Sequence, residues 1–165
     1  MKLASKVETS LERIRAYVKQ PWDAFVGHSG GKDSCVVLYL ATIVHPDIAI
    51  IHNPKDNTHI DTIQFLYGLA KSRSINFIPV GEMPDIGWKL EIDGSRRAEA
   101  ARTDRSSSII VGGVDVNRNG MPEFVSGGIF GLDILYPIVD WTDKEVWEFL
   151  ISNKIPISAE YGVDY

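Results

Sequence analysis

Residues 25–34, which read Phe-Val-Gly-His-Ser-Gly-Gly-Lys-Asp-Ser, decide the fold of this chain. The apolar run at 24–27 ends in small residues and predicts a buried strand. Residues 34–44, SCVVLYLATIV, are almost entirely apolar and predict a buried helix that ends before Pro46. The segment therefore predicts a polar, glycine-rich loop between a strand and a helix.

This loop has the composition of a pyrophosphate-binding site. Consecutive glycines at 30 and 31 let the backbone turn with several N–H groups pointing inward, and the following helix adds its positive N-terminal end. Ser29 and Ser34 supply hydroxyl donors, and Lys32 supplies a mobile cation. A tight turn with a helix cap would explain one polar residue and one glycine, but not the whole set.

The loop is not a Walker A motif, because Val26 stands at the first glycine position of that motif and Asp33 follows Lys32. Asp33 has two interpretations of equal weight. Its carboxylate could hold Mg²⁺ against the phosphates, or it could cap the helix. Cys35 lies among apolar residues, which favours a buried structural thiol over a reactive one.

The elements around the loop predict an α/β fold. An amphipathic helix precedes Pro21, strands are predicted at 48–52 and 75–80, and a helix is predicted at 58–73 between them. Strands separated by helices imply a parallel twisted sheet of Rossmann-like type with helices on both faces. We expect a single domain over 1–165, with the helix in 1–20 packed on it.

The second half of the chain is less regular. Residues 81–108 give no clear element, and 109–125 predict short strands and turns, with a hairpin signal at 119–120. Residues 142–145, Thr-Asp-Lys-Glu, form a capping box that predicts a helix ending near Asn153. Trp141 and Trp147, on either side of the helix start, are expected to pack on the core.

Composition excludes several classes of function. The net charge of −5 argues against general nucleic-acid binding. The single cysteine excludes an internal disulfide and an iron–sulfur cluster held by four protein thiolates. No apolar run is long enough to span a bilayer or to act as a secretion signal, so we expect no membrane association and a cytoplasmic location. For His28, an exposed loop position is favoured over a phosphate contact.

A second polar segment lies at 94–102, where Gly94, Arg96, Glu99 and Arg102 form a G-x-R-x-x-E-x-x-R pattern. Arginine forks bind phosphate or sulfate through two parallel hydrogen bonds. Taken alone, the pattern favours a solvated charged helix over an anion-binding site.

The segment SGGKDS after a strand resembles the PP-loop of the N-type ATP pyrophosphatase superfamily. With the 94–102 pattern and the stretch YPIVDWTDKEVWEFLISNKIPISAEYGVDY at 136–165, most of the chain is similar to the PAPS reductase family. The resemblance implies an adenine nucleotide alpha-hydrolase-like fold with Lys32 and Arg96 as catalytic groups. It also implies nucleotide contacts at the following positions: Ser29, Gly30, Gly31, Lys32, Asp33, Ser34, Ile51, His52, Asn53, Gly94, Arg96 and Arg102.

The activity implied by the resemblance is cleavage of ATP between the α and β phosphates, with Mg²⁺, bound at Asp33, as the cofactor and pyrophosphate as a product. One alternative is sulfonucleotide chemistry on APS or PAPS. Reductases of the family take their nucleophilic thiol from a C-terminal cysteine, which does not follow here, so that thiol would come from elsewhere. The other alternative is a non-catalytic nucleotide-binding subunit. A homo-oligomer or a partner subunit is compatible with each of these.

Overall fold

The computed structural model describes residues 2–52, 76–79, 87–98, 110–111, 114–115, 120–128 and 131–155. The first half of the chain forms the elements α1 Leu3–Tyr17, a 3₁₀ turn Pro21–Asp23, β1 Ala24–His28, α2 Lys32–Val44, β2 Ala49–His52 and β3 Asn76–Pro79. The predicted first helix, the three predicted strands and the helix after the loop are thereby confirmed. The helix predicted at 58–73 lies outside the described residues.

The second half contributes shorter elements. They are β4 Leu90–Ile92, β5 Ile110–Val111, β6 Val114–Asp115, β7 Phe124–Val125, β8 Asp133–Leu135 and α3 Asp143–Ser152. The sequence predicted short strands at 109–125 but gave no strand at β4 or β8. Gly120 lies in a turn, and the rest of the predicted hairpin signal, Asn119, is outside the described residues.

Six strands form one sheet in the order β3-β2-β1-β4-β8-β7. Neighbouring strands among β3, β2, β1, β4 and β8 pair in parallel, whereas β7 is antiparallel to its neighbour β8. The strands β5 and β6 form a separate antiparallel pair. The predicted α/β fold with a parallel sheet is confirmed, and the missed strand β4 lies directly beside β1.

One face of the sheet packs against all three described helices. Their apolar side chains share one buried cluster with alternate residues of the strands, among them Val26, Ile50 and Ile92. The helix α2 contributes most to this cluster, which explains why its sequence is apolar nearly all round. Packing against this face fixes the N-terminal end of α2 at the carboxyl edge of the sheet.

Polar contacts attach α1 to the segment just before and within the first turn of α3. Arg13 donates to Asp140 at 2.8 Å, and Lys6 lies 3.0 Å from a carboxylate oxygen of Glu145. The indole N–H of Trp141 donates to Ser10 Oγ at 3.0 Å. These contacts hold the start of α3 from the side of the N-terminal helix.

Among the described residues, no helix combines the length and the apolar character needed to cross a membrane.

Candidate functional site

The glycine-rich loop connects β1 to α2 at the carboxyl edge of the parallel sheet, where ligands bind in open α/β folds. Gly30 has a φ of +89°, a conformation that favours glycine. Gly31 is the N-cap of α2 and has extended backbone angles. The turn at Gly30 therefore brings the chain directly into the first turn of α2, whose leading N–H groups have no partner within the helix.

Two serine side chains hold the loop in shape. Ser34 Oγ donates to the Gly31 carbonyl at 3.0 Å, which closes the turn. The Ser29 N–H donates to Ser34 Oγ at 3.3 Å, and the Gly31 N–H donates to Ser29 Oγ at 3.4 Å. The last two bonds are long and therefore weak. A phosphate oxygen would be a stronger acceptor for the same N–H groups, because charge-assisted bonds are shorter and stronger.

The polar residues in the first turn of α2 are close to one another. Lys32 is only 8% exposed, and its Nζ lies 3.6 Å from Asp33 Oδ2. Because Gly31 is the N-cap of α2, the interpretation of Asp33 as that cap is wrong. Its carboxylate instead faces Lys32 on one side and Arg96 on the other.

Arg96 is buried behind the loop, with a side chain that has no exposed area. Its Nε and Nη2 donate to the two carboxylate oxygens of Asp33 at 3.0 Å and 3.4 Å. Its Nη2 also donates to Asp143 at 2.6 Å, and Nη1 donates to the Trp141 carbonyl at 3.1 Å. Burial acts to lower the pKa of Arg96, but the two carboxylates more than offset this effect, so the pKa lies above its usual value.

The strand β4, which the sequence analysis missed, brings Gly94 against the loop. A Cβ atom at this position would meet the backbone of Asp33 and Ser34 at 2.9–3.0 Å. Glycine is therefore required for close approach, and this approach also brings Arg96 within reach of Asp33. The structure brings Gly94 and Arg96 to the loop, and the predicted contact of these two residues with a nucleotide stays a prediction.

An acidic group that the sequence analysis did not single out lies on the other face of the sheet. The Glu91 carboxylate lies over Gly27, since a Cβ at Gly27 would be 2.5 Å from Glu91 Oε1. Burial, with a smaller contribution from Asp93, raises the pKa of Glu91 to about 7. Burial and these two carboxylates also raise the pKa of Tyr136. In the sequence, Glu91 could have been found as a charged residue between two apolar ones in Leu90–Ile92.

His28 and Cys35 pack together beneath the loop. His28 is 2% exposed, so its predicted exposed position is wrong: as the last residue of β1 it is covered by α2. Its Nε2 lies 3.7 Å from Cys35 Sγ. Cys35 is fully buried, as predicted, and burial together with Asp33 raises the pKa of its thiol to about 12. At neutral pH this thiol is protonated and is a poor nucleophile.

The other predicted contact residues are only partly described. His52 is paired in register with His28, which places the end of β2 beside the loop. Ile51 is 4% exposed and packs in a small apolar cluster with Phe25, Ala49 and Trp88. Asn53 and Arg102 lie outside the described residues. The predicted adenine site near 51–53 stays a prediction.

Sequence comparison finds similarity to phosphoadenosine 5'-phosphosulfate reductases. No protein-family profile matches the chain. It is 25% identical over 174 residues to the phosphoadenosine 5'-phosphosulfate reductase of Xanthomonas campestris pv. campestris, a match that covers 88% of this chain and 72% of the reductase.

Solved structures of a PAPS reductase and of an FMN adenylyltransferase share the fold of this chain. The phosphoadenylyl-sulfate (PAPS) reductase of Candida auris, in its phosphate complex, superposes with a TM-score of 0.64 at 11% identity, covering 99% of this chain and 92% of that chain. The FMN adenylyltransferase of Candida glabrata, in complex with FAD and inorganic pyrophosphate, gives 0.62 at 14% identity, covering 96% and 60%. In sequence the chain is similar to phosphoadenosine 5'-phosphosulfate reductases, and with a strand–SGGKDS–helix unit at the carboxyl edge of a parallel sheet it has an adenine nucleotide alpha-hydrolase-like fold.

Proposed function

We propose that the chain binds an adenine nucleotide at residues 29–34 and acts at its α-phosphate or sulfate group. The observation that carries the proposal is the first turn of α2. There Lys32 and the leading N–H groups of the helix follow a left-handed turn at Gly30, at the carboxyl edge of a parallel sheet. A fixed array of donors with one cation stabilises charge that develops on phosphoryl oxygens.

The reaction that we favour is cleavage of ATP between the α and β phosphates. A nucleophilic atom of an acceptor bonds to the α-phosphorus, the bridging P–O bond breaks, and pyrophosphate leaves with the electron pair. Lys32 and the loop amides would stabilise the negative charge on the phosphates during this step. The pyrophosphate in the structure of the related FMN adenylyltransferase supports this direction.

The expected Mg²⁺ does not fit at Asp33. Both carboxylate oxygens of Asp33 already accept from Arg96, and Lys32 lies close to one of them. Within the described ranges, no group of three or more metal-binding side chains is present. We therefore place no magnesium ligand at Asp33. We expect any Mg²⁺ that accompanies ATP to be held by the nucleotide phosphates, in keeping with the few protein carboxylates that this ion uses at nucleotide sites.

The sulfonucleotide alternative is favoured by the reductase relatives. In that case the loop would hold the phosphate or sulfate of APS or PAPS. Cys35 cannot supply the attacking thiolate, because it is fully buried and its thiol has a raised pKa. The thiol would then come from a different protein, and the cytoplasmic location that we predict would keep it reduced.

A pyrophosphate-release assay with ATP and Mg²⁺ tests the favoured reaction. We expect release that is lost in Lys32→Ala and kept in Lys89→Ala, the matched control, because Lys89 is exposed and precedes β4 at the opposite edge of the sheet. ATP binding with no turnover, both with ATP alone and with candidate acceptors added, would identify a non-catalytic nucleotide-binding subunit. Sulfite release from PAPS with added thiol would identify the reductase chemistry.

Thermal unfolding with ATP, APS and PAPS identifies the preferred nucleotide. A ligand that binds only the native state at a hundred times its Kd adds about 2.7 kcal/mol to the free energy of unfolding. The nucleotide with the largest effect on the Tm is the one that the site selects. If none of the three shifts the Tm of the wild-type protein, the proposed function is wrong.

A further inference from the structure

Two carboxylates from distant parts of the chain meet at one guanidinium group. Asp33 lies in the first turn of α2 and Asp143 in the first turn of α3. Arg96 Nη2 donates to both, at 3.4 Å to Asp33 and at 2.6 Å to Asp143. The group therefore joins the amino ends of two helices that are far apart in sequence.

Arg96 is buried, and its side-chain nitrogens all have acceptors within the protein. The Arg96 side chain has no exposed area, and Asp33 and Asp143 side chains are 12% and 37% exposed. A buried guanidinium is costly unless its donors are satisfied, and here Trp141 accepts from the remaining terminal nitrogen. Planar, fork-shaped arginine meets these acceptors in a way that lysine cannot.

We infer that Arg96 is an internal counter-cation that takes the place of a divalent ion between Asp33 and Asp143, and that it positions Lys32 through Asp33. This inference adds to the proposed function, and its prediction about nucleotide affinity rests on that function. Asp33 Oδ2 lies 3.6 Å from Lys32 Nζ, and the Asp33 carboxylate also pairs with Arg96. The buried arginine therefore fixes Asp33, and Asp33 in turn restrains the lysine. Arg96 is thereby a positioning residue that acts on the nucleotide through Asp33 and Lys32.

The metal arm of the test uses Mn²⁺ alone, without nucleotide, and follows bound ion by electron paramagnetic resonance. We expect no Mn²⁺ bound by the wild-type protein. In Arg96→Ala, Asp33 and Asp143 lose the cation that they share, and we expect Mn²⁺ to bind there and to raise the Tm. The second substitution in Arg96→Ala/Asp33→Asn should abolish that binding. Mn²⁺ bound by the wild-type protein and lost in Asp33→Asn alone would overturn the inference.

The nucleotide arm measures ATP affinity by calorimetry. We expect the Kd to rise roughly tenfold in Arg96→Met, and by less in Arg96→Lys, which keeps the charge but loses the fork. Arg15→Met is the matched control, because Arg15 pairs with Glu8 on the exposed side of α1. Unchanged affinity in folded Arg96→Met would overturn the inference.

Asp143→Asn guards against loss of folding in the Arg96 variants, because Asp143 is the most exposed member of the group. We expect its ATP Kd to rise about threefold, since Arg96 loses one charged acceptor. An unchanged Kd would count against the positioning role. If the wild-type protein binds none of ATP, APS and PAPS, the proposed function fails, while the Mn²⁺ experiment still decides whether Arg96 stands in for a metal ion.

Discussion

Gly94 touches the peptide group that joins Asp33 to Ser34: a Cβ atom at position 94 would lie 2.9 Å from the Asp33 carbonyl carbon and 3.0 Å from the Ser34 nitrogen. Both neighbours are backbone atoms at the start of α2, so neither can move without moving the loop. This contact transmits any change after β4 to the glycine-rich turn between β1 and α2.

Gly94→Ala should therefore weaken nucleotide binding. We expect the Kd for ATP to rise roughly tenfold or more and the free energy of unfolding to fall by about 1–3 kcal/mol, the usual cost of overpacking. Calorimetry and urea unfolding measure the two effects. Gly127→Ala is the control. Its φ of +67° makes alanine strained, but it lies between β7 and β8 with open space around it, so it should lower stability and leave the Kd unchanged. Unchanged Kd in Gly94→Ala would show that the loop tolerates displacement.

Glu91 should make the protein less stable as the pH rises. Its pKa is raised from 4.5 to about 7 in the folded protein, so the folded state holds this proton at pH values where the unfolded state has released it. The free energy of unfolding therefore falls between about pH 4.5 and pH 7, and the full cost, about 3 kcal/mol, is present above pH 7.

Glu91→Gln removes this dependence. At pH 8 we expect the variant to be more stable than the wild-type protein, with the difference vanishing toward pH 4.5. Urea unfolding at a series of pH values measures it, and Glu148→Gln, at an exposed position on α3, is the control. A variant that is less stable than the wild-type protein at pH 8 would mean that the charged carboxylate has a stabilising partner.

Cys35 should be inert in the native protein. A disulfide reagent is expected to react with it roughly a hundredfold more slowly at pH 8 than in denaturing urea, because the thiol is buried and its pKa is raised to about 12. Cys35→Ala should cost about 1–2 kcal/mol of stability through the small cavity that it leaves, without changing the nucleotide affinity. Rapid labelling of the native protein would reopen Cys35 as a candidate nucleophile.

Thr142 should stabilise α3 through its cap. Its side chain accepts from the Glu145 N–H at 3.2 Å, and the Glu145 carboxylate accepts from the Thr142 N–H at 2.8 Å. Thr142→Ala is expected to lower the free energy of unfolding by about 1 kcal/mol. Thr9→Ala, within the exposed face of α1, removes a hydroxyl that bonds only its own helix and should have a smaller effect. Equal effects of the two substitutions would contradict the capping role.

Local sequence signals predicted the elements whose residues specify them independently. The strand–SGGKDS–helix unit, the capping box at 142–145 and the apolar stripe of α1 each carry their own pattern, and all three appear in the structure. The strands β4 and β8 have only three residues each and mixed polarity. They are strands because they pair with β1 and with each other, and a single-segment pattern does not contain that pairing.

The same difference between local and long-range signals explains which parts of the candidate site could be predicted from the sequence. The loop residues were predictable because they are contiguous. The contacts of Arg96 join positions separated by 63 and 47 residues, so the spacing at 94–102 indicated anion binding without indicating that the anions are Asp33 and Asp143. His28 was expected to be exposed because it borders a polar loop, but its place in β1 decides its burial.

The salt bridges of α1 extend the functional unit to the beginning of the chain. Arg13 pairs with Asp140 just before α3, and Lys6 pairs with Glu145 in the first turn of α3; the segment between them supplies the Trp141 carbonyl to Arg96. Shortening the chain from its N-terminus would thus loosen the support of Arg96 and uncover part of the main apolar cluster, although α1 gives no residue to the loop. Protein prepared for ligand screening should keep residues 3–17 intact.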